Sequence, residues 1–269
     1  MLVDGSENPI DSRSIKRMYA APRPLGMPQS SKPYAPPPSV QVIPLADLIR
    51  GIRQIPEDQQ HRLGIDDTGS RGYKLWCAGD VSLVRKSCIA IVGTRNVSSD
   101  GAARARRLAK ELAACGVVIV SGLARGVDTE ALAAAMEAQG RTIAVIGTPI
   151  DRAYPAENKR LQERIYRDHL LISQFEPGKA VFKGNFPERN KLMATISDAT
   201  VIIEASDTSG TLHQAAECVR LKRWLFIAAS IVEDKTLRWP QSFLTYANAR
   251  ILRTTSDILD ALGILCPSK

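Results

Sequence analysis

The sequence predicts a doubly wound α/β fold built on a mostly parallel sheet, and three observations predict it. Short apolar runs recur along the chain, IAIVG, VVIVSG, TIAVIG, LLISQF, TVIIEA and WLFIAA, each of strand length. They are continuous rather than alternating, as in strands covered on both faces. Between them lie segments with apolar residues at helical spacing, so strand and helix alternate.

The centre of this pattern is Ile89 to Asp128, which reads as strand, turn, helix, strand, turn. Ala105, Leu108, Ala109, Leu112 and Ala113 give the helix one apolar face. Before this unit, residues 1 to about 40 are rich in Pro, Ser and Gly and read as an extended tail. Removing them is expected to leave a folded core. Leu45, Leu48, Ile49 and Ile52 then predict one short amphipathic helix ending before Pro56, and Tyr73 to Gly79 a strand.

After the central unit, Thr129 to Gln139 reads as a helix with Asp128 as N-cap, and Thr142 to Gly147 as the next strand. A loop carrying Pro149 and Pro155 precedes a helix and the strand Leu170 to Phe175. The long basic loop Glu176 to Pro187 leads to a helix starting near Glu188, then a strand from Thr200 to Ala205. A helix after Gly210, a strand from Trp224 to Ala229, a further strand near Ala249 and a short helix after Thr254 complete the series. The expected organisation is a tail and helical linker over 1–72, one α/β domain over 73–253 and a short helical end over 254–269.

The chain has 269 residues, 44% of them hydrophobic, enough for one sizeable core. Its net charge of +8 favours a polyanionic partner over a membrane. No apolar run reaches transmembrane length, and Met1 is not followed by a basic then apolar leader. Cys77, Cys88, Cys115, Cys218 and Cys266 show neither CxxC nor Cys/His pairing. No metal site and no disulfide framework is indicated, and a reduced cytoplasm is the expected setting.

The strand-end turns carry the chemistry. In an open parallel sheet these turns converge on one edge and aim backbone N–H groups at anions. Here they supply Gly93-Thr94-Arg95, then Ser121-Gly122 with Arg125, Gly126 and Asp128, then Arg189-Asn190-Lys191, then Ser209-Gly210-Thr211. Arginine suits phosphate because its planar fork makes paired charge-assisted hydrogen bonds, and the small residues allow close backbone approach. GxGxxG is absent, since Arg95 and Ser98 stand where its later glycines belong, so no dinucleotide cofactor is expected. His61, His169 and His213 have no nucleophile and carboxylate at matching spacing, and Ser121 and Ser209 lack a GxSxG elbow. No catalytic residue is assigned.

GTR (93–95), SGLARGVD (121–128), TIAVIGTPIDRAYPAEN (142–158), Pro177-Gly178, FPERNK (186–191) and SGTL (209–212), in that order, resemble the DprA/Smf family of DNA-processing proteins. The resemblance runs from about Tyr73 to Ala229. It implies a Rossmann-like fold, a basic pocket for single-stranded DNA at Arg95, Arg125, Arg189 and Lys191 with Asn190 beside them, and a homodimer. It also implies hand-over of DNA to a RecA-type recombinase in natural transformation or recombination. The chain departs from the family pattern at Leu132, Gln174, Lys191, His213-Gln214 and Ala229-Ser230, which keeps another process, such as defence, open. Two other readings stand beside it. One is a nucleotide-sensing domain; the other is a nucleotide hydrolase of the LOG type, whose PGGxGTxxE motif is matched here only at Gly210-Thr211, with Glu217 too late in the chain. Phe186 is the nearest aromatic to these loops, so DNA affinity is expected from phosphate contacts with little stacking.

Overall fold

The computed structural model describes residues 34–63 and 73–267. Most of the segment expected as a tail lies outside the described residues.

In chain order the elements are β1 (Gln41–Pro44), α1 (Leu45–Ile49), α2 (Glu57–Gln60), β2 (Lys74–Gly79), β3 (Cys88–Val92), α3 (Ser99–Ala114), β4 (Val118–Ser121) and α4 (Val127–Glu137). There follow β5 (Thr142–Ile146), α5 (Lys159–Asp168), β6 (Leu170–Ser173), α6 (Asn185–Ile196), β7 (Ala199–Ile202) and α7 (Thr211–Arg220). The series ends with β8 (Trp224–Ala228), α8 (Ala229–Val232), α9 (Trp239–Leu244), β9 (Ala249–Leu252) and α10 (Ser256–Leu262).

The strands form one sheet in the order β1-β2-β6-β5-β4-β3-β7-β8-β9. From β6 to β9 every pairing is parallel, while β1 and β2 add an antiparallel edge. The Rossmann-like, doubly wound reading is what the structure shows. All five residues of β3 are buried, and alternate side chains go to opposite cores. Ala90 and Val92 pack with the α6 and α7 residues Leu192, Met193 and Ala215. Ile89 and Ile91 pack with Ala105, Leu108 and Leu112 of α3.

Four local expectations change. The helix expected to carry Leu45, Leu48, Ile49 and Ile52 up to Pro56 stops at Ile49, where Arg50 turns to extended ψ, and residues 41–44 before it form an edge strand paired antiparallel with β2. The helix expected to begin at Thr129 starts at Val127, with Gly126 rather than Asp128 at the cap position. α6 starts at Asn185, ahead of Pro187, because proline fits the first helical turn. Finally, Cys115 and Cys266, remote in sequence, meet as a disulfide across 151 residues, since α10 folds its following segment back onto the end of α3.

Arg53 fastens the amino-terminal segment to the sheet. Its guanidinium donates to both carboxylate oxygens of Asp198, at 2.9 and 3.0 Å, and to Val84 O and Lys86 O. Asp198 in turn accepts the Cys88 N–H at the start of β3.

Candidate nucleic-acid interface

The sheet reverses its winding at β3, which is flanked by β4 on one side and β7 on the other. At such a reversal the connections leave in opposite directions and a crevice opens beyond the strand ends. Two cavities of about 300 and 400 Å³ open there. They share Arg95, Ala124, Phe186 and Arg189 as common walls, so together they make one groove.

The loop after β3 is set by close backbone approach. Thr94 N donates to Glu204 O at 2.7 Å, and Val127 N donates to Thr94 O at 3.3 Å. A side chain at Gly126, where φ is +75°, would overlap the carbonyls of Thr94 and Arg95, so only glycine lets the two loops touch. Arg95 is thereby left exposed at the mouth, with its guanidinium 5.6 Å from the centroid of Phe186.

The loop after β4 is strapped from four sides. Asp128, buried in the first turn of α4, accepts the N–H groups of Gly122 at 3.1 Å and Ala124 at 3.3 Å. Thr129 Oγ1 donates to Ala124 O, and Asn158 Nδ2 donates to Leu123 O at 2.9 Å. Arg189 Nη1 donates to Gly122 O and, at 3.0 Å, to Val145 O. These straps hold Leu123 at φ +56°, a left-handed conformation that costs a branched-chain residue about 1–2 kcal/mol. Burial raises the Asp128 carboxyl above its ordinary pKa and lowers the Arg189 guanidinium below its own, each opposed by the charge of the other.

Eleven of the fourteen residues proposed from sequence line the groove: Gly93, Thr94, Arg95, Gly122, Arg125, Asp128, Arg189, Asn190, Ser209, Gly210 and Thr211. Three do not. Ser121 is fully buried and donates to Ile91 O at 2.7 Å, tying β4 to β3. Gly126 serves the backbone crossing just described. Lys191 follows Asn190 by one residue and so turns away around α6; it pairs with Glu188 at 2.8 Å beside Leu75 and Gln174.

The cations also differ in availability. Arg189 is buried and occupied by carbonyls, whereas Arg125 makes an exposed ion pair with Glu157 that a phosphate can displace. Arg95 is the exposed cation of the inner groove. His213 lines the groove, and burial lowers its pKa. Glu217 is buried away from these walls, paired with Arg62 and Arg220.

Tyr154 was missed in the sequence. It stands 5.6 Å from Phe186 and lines the outer part of the groove with it. Its only sequence signal is its place in a strand-end loop before Pro155. The groove therefore offers two rings where one was expected.

The model of the family described as "DNA recombination-mediator protein A" matches residues 55–263. The chain belongs to this family. Among curated relatives, the DNA processing protein DprA of Streptococcus pneumoniae is 39% identical over 186 residues, 69% of this chain and 65% of that protein. The DNA processing protein DprA of Bacillus subtilis is 32% identical over 215 residues, covering 79% of this chain and 72% of that one. Among solved structures, DNA processing protein A of Helicobacter pylori, described for its single-stranded DNA binding mode, superposes with a TM-score of 0.65 at 27% identity, over 82% of this chain and 95% of that one. The chain thus spans about two thirds of the length of the Streptococcus relative. Within the matched region of this recombination-mediator family member, no helix among the described residues is long and apolar enough to cross a membrane, and no cluster of metal-ligating side chains occurs among them.

Proposed function

We propose that the groove binds single-stranded DNA, and that the chain is a non-catalytic DNA-handling protein that assists a RecA-type recombinase in transformation or recombination. The observation that carries this reading is Arg95 set over Phe186 at the sheet reversal, with Tyr154 beyond it. That arrangement offers a hydrogen-bond donor to phosphate and two stacking faces in one cleft, the pairing that single strands need. The Helicobacter relative, whose described activity is single-stranded DNA binding, supports the same ligand. Duplex is disfavoured because its bases stay stacked away from the rings.

Gln214 stands where a LOG-type hydrolase needs its glutamate after Gly210-Thr211, Glu217 is held in ion pairs elsewhere, and Glu157 at the outer groove is paired with Arg125, which together support a non-enzymatic role. A homodimer, resting on family resemblance, and a cytoplasmic setting, resting on the lack of a CxxC or Cys/His pattern in the sequence, complete the proposal. The test is anisotropy titration of a labelled oligothymidylate at two salt concentrations. Phe186→Ala should weaken binding by about 1–3 kcal/mol with the salt slope unchanged. Arg95→Ala should reduce the log–log slope by roughly 0.7. Wild-type affinity and slope in both folded variants would overturn the proposal, and tight binding of mononucleotides alone would move nucleotide sensing into its place.

A further inference from the structure

The same sheet edge carries another cavity, of about 420 Å³, beyond the carboxyl ends of β7, β8 and β9, where Ile203, Ala228 and Leu252 line it. One face of α3 forms its wall, with Arg104, Arg107, Leu108 and Glu111 at i, i+3, i+4 and i+7. Arg253, Thr254 and Thr255, just after β9, line it as well, and Ser230 adds a further hydroxyl. Since α3 packs on the sheet face opposite α6 and α7, this cavity and the groove sit on opposite faces of one edge.

Three arginines meet here, and the protein uses little of their hydrogen-bonding capacity. Arg107 is exposed and has no ion pair among the described residues. Arg104 approaches Glu204 only to 4.0 Å, beyond hydrogen-bond reach, and its Nε is buried with no acceptor among the described residues. Arg253 pairs with Glu233 at 3.2 Å, but these side chains are 61% and 66% exposed, so the pair is readily exchanged. Glu111 is the acid of the lining, and it accepts a hydrogen bond from Thr255. Among the lining side chains three arginines face one acid, with Glu204 and Glu233 just outside the lining, and the cations are the fork-shaped donors that suit phosphate.

We propose that this cavity is a second phosphate-binding site, filled by the backbone of the same single strand whose neighbouring nucleotides occupy the groove. The inference rests on the groove reading and extends it across the sheet edge. Glu204 stands between the two sites: its carbonyl accepts Thr94 N on the groove side, and its carboxylate faces Arg104 on the other. Its charge is met by Ser98 N at 3.2 Å and Ser98 Oγ at 2.6 Å, which lowers the barrier a passing phosphate meets. Among the described residues no aromatic lines the second cavity, so a free nucleotide gains no stacking there and the backbone of a strand is the ligand that fits.

The experiment compares wild type, Arg107→Ala/Arg253→Ala and Arg95→Ala against oligothymidylates of about 6 and about 20 nucleotides, lengths that span the usual single-strand site sizes. Thermal unfolding checks each fold, and Ser230→Glu, which adds an acid at an exposed lining position, serves as an independent variant. The short oligonucleotide should bind the double variant like wild type. The long one should bind it about ten-fold more weakly, with the salt slope reduced by roughly 1.4, and Ser230→Glu should act in the same direction. Arg95→Ala should weaken both lengths. If both cavity variants bind the long strand like wild type while Arg95→Ala still fails on both lengths, the second site is refuted and the groove stands. Failure of wild type to bind either length refutes both. Pyrophosphate protection against thermal unfolding that the double variant loses, without any length effect, would assign the cavity to free phosphate and overturn the strand path.

Discussion

Asp128 and Arg189 meet across the backbone of Gly122: the carboxylate accepts its N–H while the guanidinium donates to its carbonyl. Two buried charges are thus neutralised through, and around, one peptide unit that forms the groove wall. The wall is fixed before any ligand arrives, so binding need not meet the cost of ordering it.

Arg189→Ala is expected to act first on folding. It removes the countercharge from a buried carboxylate and leaves the carbonyls of Gly122 and Val145 without this donor, at a cost of about 3–5 kcal/mol. Arg189→Ala combined with Asp128→Asn should recover part of that loss. A melting temperature for Arg189→Ala within about 2 °C of wild type would contradict this account.

Gly122→Ala tests the same contact by crowding. The new methyl would overlap the Arg189 guanidinium, which its own hydrogen bonds hold in place. Destabilisation of about 1–3 kcal/mol is expected, together with weakened DNA binding. Gly210→Ala is the control, because open space surrounds that position, and it should leave stability within about 0.5 kcal/mol.

Stability should fall with acid below about pH 6.5. Burial lowers the pKa of His169, and Arg141 adds to that effect; burial also lowers His213. A folded-state value below the unfolded one means the unfolded chain binds protons first, so stability is complete above the unfolded pKa and declines as pH falls towards the folded one. His169→Gln should flatten the decline in denaturant titrations between about pH 7 and pH 5.5. An equally steep decline in that variant would assign the acid sensitivity elsewhere.

Truncation separates two parts of the amino-terminal segment. Deletion through residue 40 removes the Tyr34 bonds with Ile150 and Gln162 and the Ala35 bond with Tyr166, so the core should fold with stability reduced by about 1–3 kcal/mol. Deletion through residue 44 also removes β1 and uncovers the edge of β2. That variant should aggregate on heating, measured by light scattering.

The parallel sheet was legible because its strands are continuous apolar runs, and the groove because its loops carry small residues and arginines at strand ends. Arg189, Asn190 and Lys191 form one contiguous polar run whose composition groups them, although about 100° of helical turn separates Lys191 from Asn190 and carries it away from the groove. Ser121 and Asp128 are polar residues at strand and helix ends, which reads as capping or ligand contact; their actual partners, Ile91 O and the Gly122 N–H, belong to the main chain and are set by tertiary packing. Arg189 is the same case, because a buried arginine bonded to carbonyls and an exposed one awaiting phosphate look alike in sequence. Tyr154 entered the groove only through the fold of its loop. The Cys115–Cys266 pairing depends on a contact between chain segments 151 residues apart, which no local pattern encodes.

That crosslink has a mechanical consequence. Cys115 and Cys266 close a covalent ring around β4 to β9, so a pull on the two chain termini bypasses everything between them. Only the residues before Cys115 and the last few after Cys266 can extend. With 151 residues of separation at about 3.4 Å each, the oxidised chain conceals roughly 500 Å of contour length that reduction releases. Single-molecule stretching with and without a reductant would read that difference directly; with the ring closed, the groove walls after Cys115 would be shielded from the load while Gly93 to Arg95 would lie in its path.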